Sequence, residues 1–262
     1  MPVFVIVSPK GGAGKTTSAL ILASEIARIY TEEGVEGNAV TLLDADPNRP
    51  ILDWTDGKHT PGNMVVVSDV DEENVFDRID DAAASTPFVI VDLEGTAAKI
   101  VVLAVSRADF VIVPMQGSHL DAKQAGRAFK LIRQHESSMR RANSAYVLPY
   151  AVLLTRTSPI IRTKTLSHIV KKLKSVGIPI FKAELNEREA FRAVFSFKKT
   201  LDKLDAATVS NLDKAQANAR SLAMEVLGAF RAGGIAVSGE AKEGALSAVD
   251  EVLEKMKGVP NE

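Results

Sequence analysis

The chain has 262 residues, with 46% hydrophobic and 25% charged side chains, which suits one α/β domain or two small ones. It contains no cysteine, which excludes disulfides, thiolate zinc sites and cysteine-held iron–sulfur clusters and fits a reducing cytoplasm. The net charge of −1 gives no hint of a nucleic-acid partner, and no apolar run reaches the roughly 18 residues of a membrane span.

The first residues, MPVFVIV, carry no basic leader and no cleavage site, and a soluble cytoplasmic protein is the expectation. Val3–Ser8 is a short β-branched run of the kind that forms a buried parallel strand. A glycine-rich turn follows, and from Thr16 to Tyr30 the residues Leu20, Ile21, Ala23, Ile26 and Ala27 recur at helical spacing. Strand-like runs then come at Ala39–Asp44, Met64–Val67, Phe88–Asp92, Phe110–Pro114 and Tyr146–Leu154. Helical stretches near 71–84, 96–106 and 120–142 separate most of them. This alternation predicts an α/β fold: a doubly wound, mostly parallel sheet with helices on both faces. Ligands in such sheets sit at the carboxyl ends of the strands, where this sequence places SPKGG, DADPN, DLEG and PMQGS. Beyond about residue 200 the pattern is helical, with a break at Ala232-Gly233-Gly234 and an amphipathic segment near 240–257. The expected organisation is a core over 1–205 and a helical C-terminal extension over 206–262, packed on or continuing the same domain.

Charge is unevenly spread. Residues 66–94 hold nine acids against Arg78 alone, whereas residues 156–203 hold twelve Lys/Arg against four acids. The near-neutral total conceals a basic region.

The glycine turn, SPKGGAGKTT over 8–17, follows a strand and opens a helix, which is the setting of a phosphate-binding loop. Gly11, Gly12, Ala13 and Gly14 let successive N–H groups converge on phosphate oxygens, and the helix start at Lys15, Thr16 and Thr17 adds its partial positive charge. Lys15 reaches the β- and γ-phosphates of a nucleotide in such loops, and the Thr16 hydroxyl ligates Mg²⁺. The usual first glycine is replaced by Pro9, and Lys10 is a second lysine.

KGGAGKTT resembles the deviant Walker A motif of the ParA/MinD ATPases. That resemblance makes Lys10 the signature lysine, which reaches across an ATP-sandwich dimer to the partner's nucleotide, as an arginine finger does. It gives catalytic roles to Lys10, Lys15 and Asp46, and ATP and Mg²⁺ as cofactors. LLDADPNRP is similar to the family's D-x-D-P-Q segment, with Asn48 in place of Gln. Asp44 is then expected to support the Mg²⁺ shell and Asp46 to orient the attacking water, while a plain turn also accounts for Pro47 and Asn48. FVIVDLEG has the Walker B form, so Asp92 joins Thr16 and Asp44 in the metal set, and Glu94 is either a second base or a structural acid. Gln116, Ser118 and Asp121 are dimer-contact candidates. Thr155 and Arg156 stand where residues framing the adenine are expected.

The resemblance extends to about residue 205 and is greatest to small ParA proteins of the ParF and VirC types. It implies plasmid partition: an ATP-dependent homodimer that binds double-stranded DNA without sequence preference. Slow hydrolysis, stimulated by a centromere-binding ParB-type partner, then releases it, and the protein is nucleoid-associated. The DNA contacts expected from the basic region are Lys171, Lys172, Lys174, Arg188, Arg192, Lys198 and Lys199. A VirC-like role in conjugative DNA processing would use the same active-site residues. A MinD-like membrane cycle is disfavoured, because the tail from Glu240 to Glu262 has six acids against three lysines. Scarce aromatics disfavour base stacking on single strands.

Overall fold

A computed structural model describes residues 1–94 and 99–231. Seven strands, β1 (Val3–Ile6), β2 (Val40–Ala45), β3 (Met64–Val67), β4 (Phe88–Leu93), β5 (Phe110–Met115), β6 (Tyr150–Thr157) and β7 (Leu185–Asn186), form one sheet in the order β3-β2-β4-β1-β5-β6-β7. Every pairing is parallel. β1 lies between β4 and β5, so the chain winds outward on either side of it, and the loop after β1 opens at the topological switch point.

Strand alternation divides the core into two layers. Phe4, Ile6, Leu42, Ile90 and Ile112 face one side, while Val3, Val5, Leu43, Val91 and Val113 face the other. The first layer is covered by α1 (Lys15–Glu32), α2 (Pro50–Thr55), α7 (Glu189–Ser196) and α8 (Leu212–Arg231). The second is covered by α3 (Val75–Ser85), α4 (Lys99–Ser106), α5 (His119–Met139) and α6 (Lys164–Ser175). Burial on both faces is why the strands read as continuous apolar runs, each buried Val, Leu or Ile contributing about 1.5–3 kcal/mol.

α8 is part of the core. Leu212, Ala215, Ala219, Leu222, Ala223 and Val226 are buried in the same cluster as Leu20 and Ile26 of α1. Arg220 of α8 pairs with Glu32 at 2.6 Å. The glycine break at 232–234 and the segment near 240–257 lie outside the described residues. The sixth strand starts later than its apolar run, at Tyr150, because Tyr146 closes a turn on the Asn143 carbonyl and Pro149 has no N–H to give a ladder. Two short elements escape sequence periodicity: α2, one and a half turns behind a Pro-rich turn, and the two-residue β7.

Candidate nucleotide site

The loop from Pro9 to Gly14 joins β1 to α1 and is shaped by left-handed backbone at Gly12 (φ 75°) and Gly14 (φ 93°). Gly14 is the N-cap of α1, and a Cβ there would meet Thr155 at ordinary contact distance, 3.4 Å, but in a left-handed backbone that other residues rarely adopt. The loop's carbonyls are tied away from the cleft. Gln116 Nε2 donates to the Gly12 carbonyl at 2.7 Å, the Thr155 hydroxyl to the Ala13 carbonyl at 2.7 Å, and the Ser18 hydroxyl to the Gly14 carbonyl at 2.7 Å. The cleft so formed, about 380 Å³, is lined by Gly11, Gly12, Gly14, Lys15, Thr16, Thr17, Asp46, Asn48, Glu94 and Arg156 among others. Backbone N–H groups, the start of an 18-residue helix and one lysine make it a receptor for an anion.

Lys15 is buried, 7% exposed, with its ammonium 3.5 Å from the Lys10 carbonyl oxygen. Burial pulls its pKa below the usual lysine value, against the opposing charges of Asp92, Asp46 and Glu94.

Two carboxylates sit side by side beneath the loop. Asp44 and Asp92 are paired in register on β2 and β4, and both are fully buried. Asp44 Oδ2 accepts the N–H groups of Ile51 at 2.9 Å and Leu52 at 3.2 Å, capping α2. This departs from a residue simply available to a metal shell: one Asp44 oxygen is already committed to the helix that follows it. Burial raises the Asp44 pKa, and these backbone donors oppose the rise. Asp92 has no hydrogen-bond partner on either oxygen. Burial pushes its pKa up to about 7, with the nearby Thr16 hydroxyl and Lys15 charge offsetting part of the cost.

An orphaned buried carboxylate beside a helix-start hydroxyl fits a divalent cation carried in by phosphates. No group of three or more acidic or histidine side chains among the described residues could hold a metal alone. Asp46, at the cleft wall, accepts the N–H and the side-chain amide of Asn48, each at 2.9 Å, so the DADPN turn and the expected water-facing acid are one structure.

Lys10, at the rim, is held by its own chain: its ammonium lies 2.7 Å from Asp121 Oδ1, an acid only 2% exposed that also binds the Ser118 hydroxyl at the start of α5. Of the three dimer-contact candidates, Gln116 braces the glycine loop and Ser118 with Asp121 anchors Lys10.

A second compartment, about 290 Å³, shares Gly14, Thr17 and Arg156 with the cleft and is walled by Leu185, Asn186, Arg188, Phe191, Arg192 and Phe195. Arg156, with φ 51°, lines both spaces. Thr155 lines the second compartment, but its hydroxyl is spent on the glycine loop, so a hydrogen bond from it to a base is not what the geometry offers. Phe191 and Phe195 were not anticipated. Their signal was only the apolar spacing of AFRAVF, which reads equally as core.

The seven expected DNA contacts fall in two segments of the chain. Lys171, Lys172 and Lys174 ride on α6, on one side of the sheet. Arg188, Arg192, Lys198 and Lys199 belong to α7 and its ends, on the other side. Arg188 and Arg192 wall the second compartment, and Arg192 pairs with Glu187 and Glu189. The Lys198 ammonium lies 2.9 Å from Asp53 and 3.7 Å from Asp56. β7 intervenes between α6 and α7, and the two helices pack on opposite faces of the sheet. No helix among the described residues is long and apolar enough to cross a membrane.

Comparisons with known proteins agree with this geometry. The sequence profile described as VirC1 protein matches residues 1–229. Protein ParA of Rhizobium radiobacter is 36% identical over 226 residues, covering 86% of this chain and 96% of that one. A ParA family ATPase structure from Chlorobium tepidum TLS superposes with a TM-score of 0.62 at 16% identity, covering 85% of this chain and 98% of the other. An ATP complex of a McdA variant from Cyanothece superposes with a TM-score of 0.59 at 16% identity, over 85% and 96% of the two chains. The chain therefore belongs to the VirC1 protein family and is a homologue of Protein ParA.

Proposed function

We propose that the protein is an Mg²⁺-dependent ATPase of the plasmid-partition type, whose ATP-bound form is a homodimer that holds double-stranded DNA without sequence preference. The observation that carries this reading is the pairing of an N–H-lined anion cleft with the partnerless Asp92 carboxylate at its floor. Gly11 to Thr17 would cradle the phosphates, Lys15 would neutralise them, and Thr16 with Asp92 would hold the cation. Mg²⁺ in that place supplies charge screening for the phosphates. The second compartment would take the adenine, between Phe191, Phe195 and Arg156. Asp46 would orient the attacking water from the cleft wall. Support for ATP as the ligand also comes from the ATP complex of the McdA variant with the same fold.

Lys10 gives the switch its logic. In the single chain its charge is satisfied by Asp121; in a dimer it would be released to the partner's phosphates. DNA contact is assigned to Lys171, Lys172 and Lys174, for which no carboxylate lies within salt-bridge reach among the described residues. A ParB-type centromere-binding protein would stimulate hydrolysis and free the dimer from the nucleoid. The match to the VirC1 profile favours a second reading, assembly of conjugative DNA-processing complexes with the same switch.

Sizing the protein with ADP and with ATP and Mg²⁺, with and without non-specific duplex DNA, tests the proposal. Dimers and DNA retention only with ATP are expected. A monomer in every condition, or DNA retention indifferent to nucleotide, overturns it.

A further inference from the structure

α2 and α7 come from distant parts of the chain yet are joined at three points. The Trp54 indole, 1% exposed, donates its N–H to the Val194 carbonyl at 3.1 Å. That carbonyl lies in the last turn of α7, where intrahelical donors run out, and it also accepts the Lys199 N–H at 3.1 Å. Lys198, in left-handed backbone with φ 51°, sets its ammonium 2.9 Å from Asp53 and 3.7 Å from Asp56 at the end of α2. Gly57 completes the contact. A Cβ there would fall 2.3 Å from the Lys198 carbonyl oxygen, so the two backbones meet only with glycine in place.

The far ends of this pair touch the site. α2 begins directly after the Asp46–Arg49 loop and is fixed to β2 by the Asp44 cap. α7 presents Phe191, Arg192 and Phe195 to the second compartment. A displacement of α7 by a ligand would therefore be carried to α2, and from α2 to the loop that bears Asp46.

We propose that α2 and α7 act as one strut that couples occupancy of the second compartment to the placement of Asp46, with Trp54 and Lys198 as its positioning residues. The proposal rests on the reading of Asp46 as the water-orienting acid. A nucleoside triphosphate would fill both compartments and tighten the strut, whereas a bare polyphosphate would fill the cleft alone. Hydrolysis would then be tuned to a ligand with a base, although neither Trp54 nor Lys198 lines the glycine-loop cleft.

Trp54 is the chain's single tryptophan, so its emission reports the strut directly. ADP should change Trp54 emission in the wild type, and inorganic tripolyphosphate at saturating concentration should not. The same response to both, or to neither, overturns the proposal whether or not the protein hydrolyses ATP. In turnover assays Trp54→Phe, which keeps the packing and removes the N–H, should lower kcat for ATP about tenfold with KM within threefold. Lys198→Met should do the same from the surface, and Lys198→Arg should restore kcat to within twofold. Equal losses in kcat/KM through KM, or unchanged kcat in both variants with melting temperatures kept, count against the strut. A wild type that binds ATP without hydrolysing it counts instead against the ATPase reading.

Discussion

α6 and the segment 188–199 around α7 each carry four Lys/Arg in twelve residues, yet the fold uses them differently. On α7 and its ends, Arg192 and Lys198 are bound to Glu187, Glu189, Asp53 and Asp56, so half of the four cations there are paired within the protein. On α6, Lys171 and Lys174 stand exposed and Lys172 is half-buried, on a helix whose apolar side, Leu166, Ile169 and Leu173, is fully used against the sheet. The same contrast recurs under the glycine loop, where Asp44 and Asp92 share a register and differ only in partners. A charge without a protein partner is directly available to a ligand, and one with a partner, like Lys10 on Asp121, must first give it up.

The sharpest way to break this comparison is at Asp92. Asp92→Asn should reduce Mg²⁺-dependent ATP affinity by about 100-fold, roughly the 3 kcal/mol expected of a charged group lost from a buried site, measured by titration calorimetry. It should also stabilise the ligand-free protein at pH 8. The sign follows from proton counting: with a folded pKa of about 7 against 3.8 unfolded, the folded state holds the extra proton between those values. Stability from this group is thus lost as pH rises through that window and levels off above about 7, and the Asn variant should lack that slope in urea melts. Mg²⁺-nucleotide affinity should climb over the same window, because the cation competes with the proton.

Next in size is the joint replacement of Lys171, Lys172 and Lys174 by Ala. With three phosphate contacts removed per protomer, the slope of log affinity against log salt should fall by about 2.7 per protomer in retention assays on duplex DNA. Arg192→Ala and Lys198→Met should leave that slope unchanged, and a fall of similar size in either would erase the distinction between the two helices. Asp44→Ala should cost about 1–3 kcal/mol in chemical denaturation, since it strands the N–H groups of Ile51 and Leu52. The smallest expected effect is at Asp121. Asp121→Asn should release Lys10 and raise ATP-dependent dimer affinity severalfold by sedimentation, whereas Lys10→Ala should keep nucleotide binding and lose the dimer.

Much of the site was legible because it is local. Glycine spacing, a strand before and a helix after are enough to place Gly11 to Thr17, since the turn geometry is set by neighbours in sequence. Strand ends bearing Asp44, Asp46 and Asp92 were legible from apolar runs that stop at acids. What escaped were partners across the fold. Thr155 reads as a base contact with no sign that its hydroxyl also donates to the Ala13 carbonyl, and Lys198 reads as a free cation until α2 is beside it.

Taken alone, the sequence determined the parallel α/β sheet, the phosphate loop and the lysine pair within it, because hydrophobic period and backbone freedom are properties of short stretches. Only the tertiary structure decided which charges stay free. For Lys10 and Lys198 the counterpart lies more than a hundred positions away, at Asp121 and Asp53. Coulombic pairing acts over a few ångströms of space and is indifferent to distance along the chain.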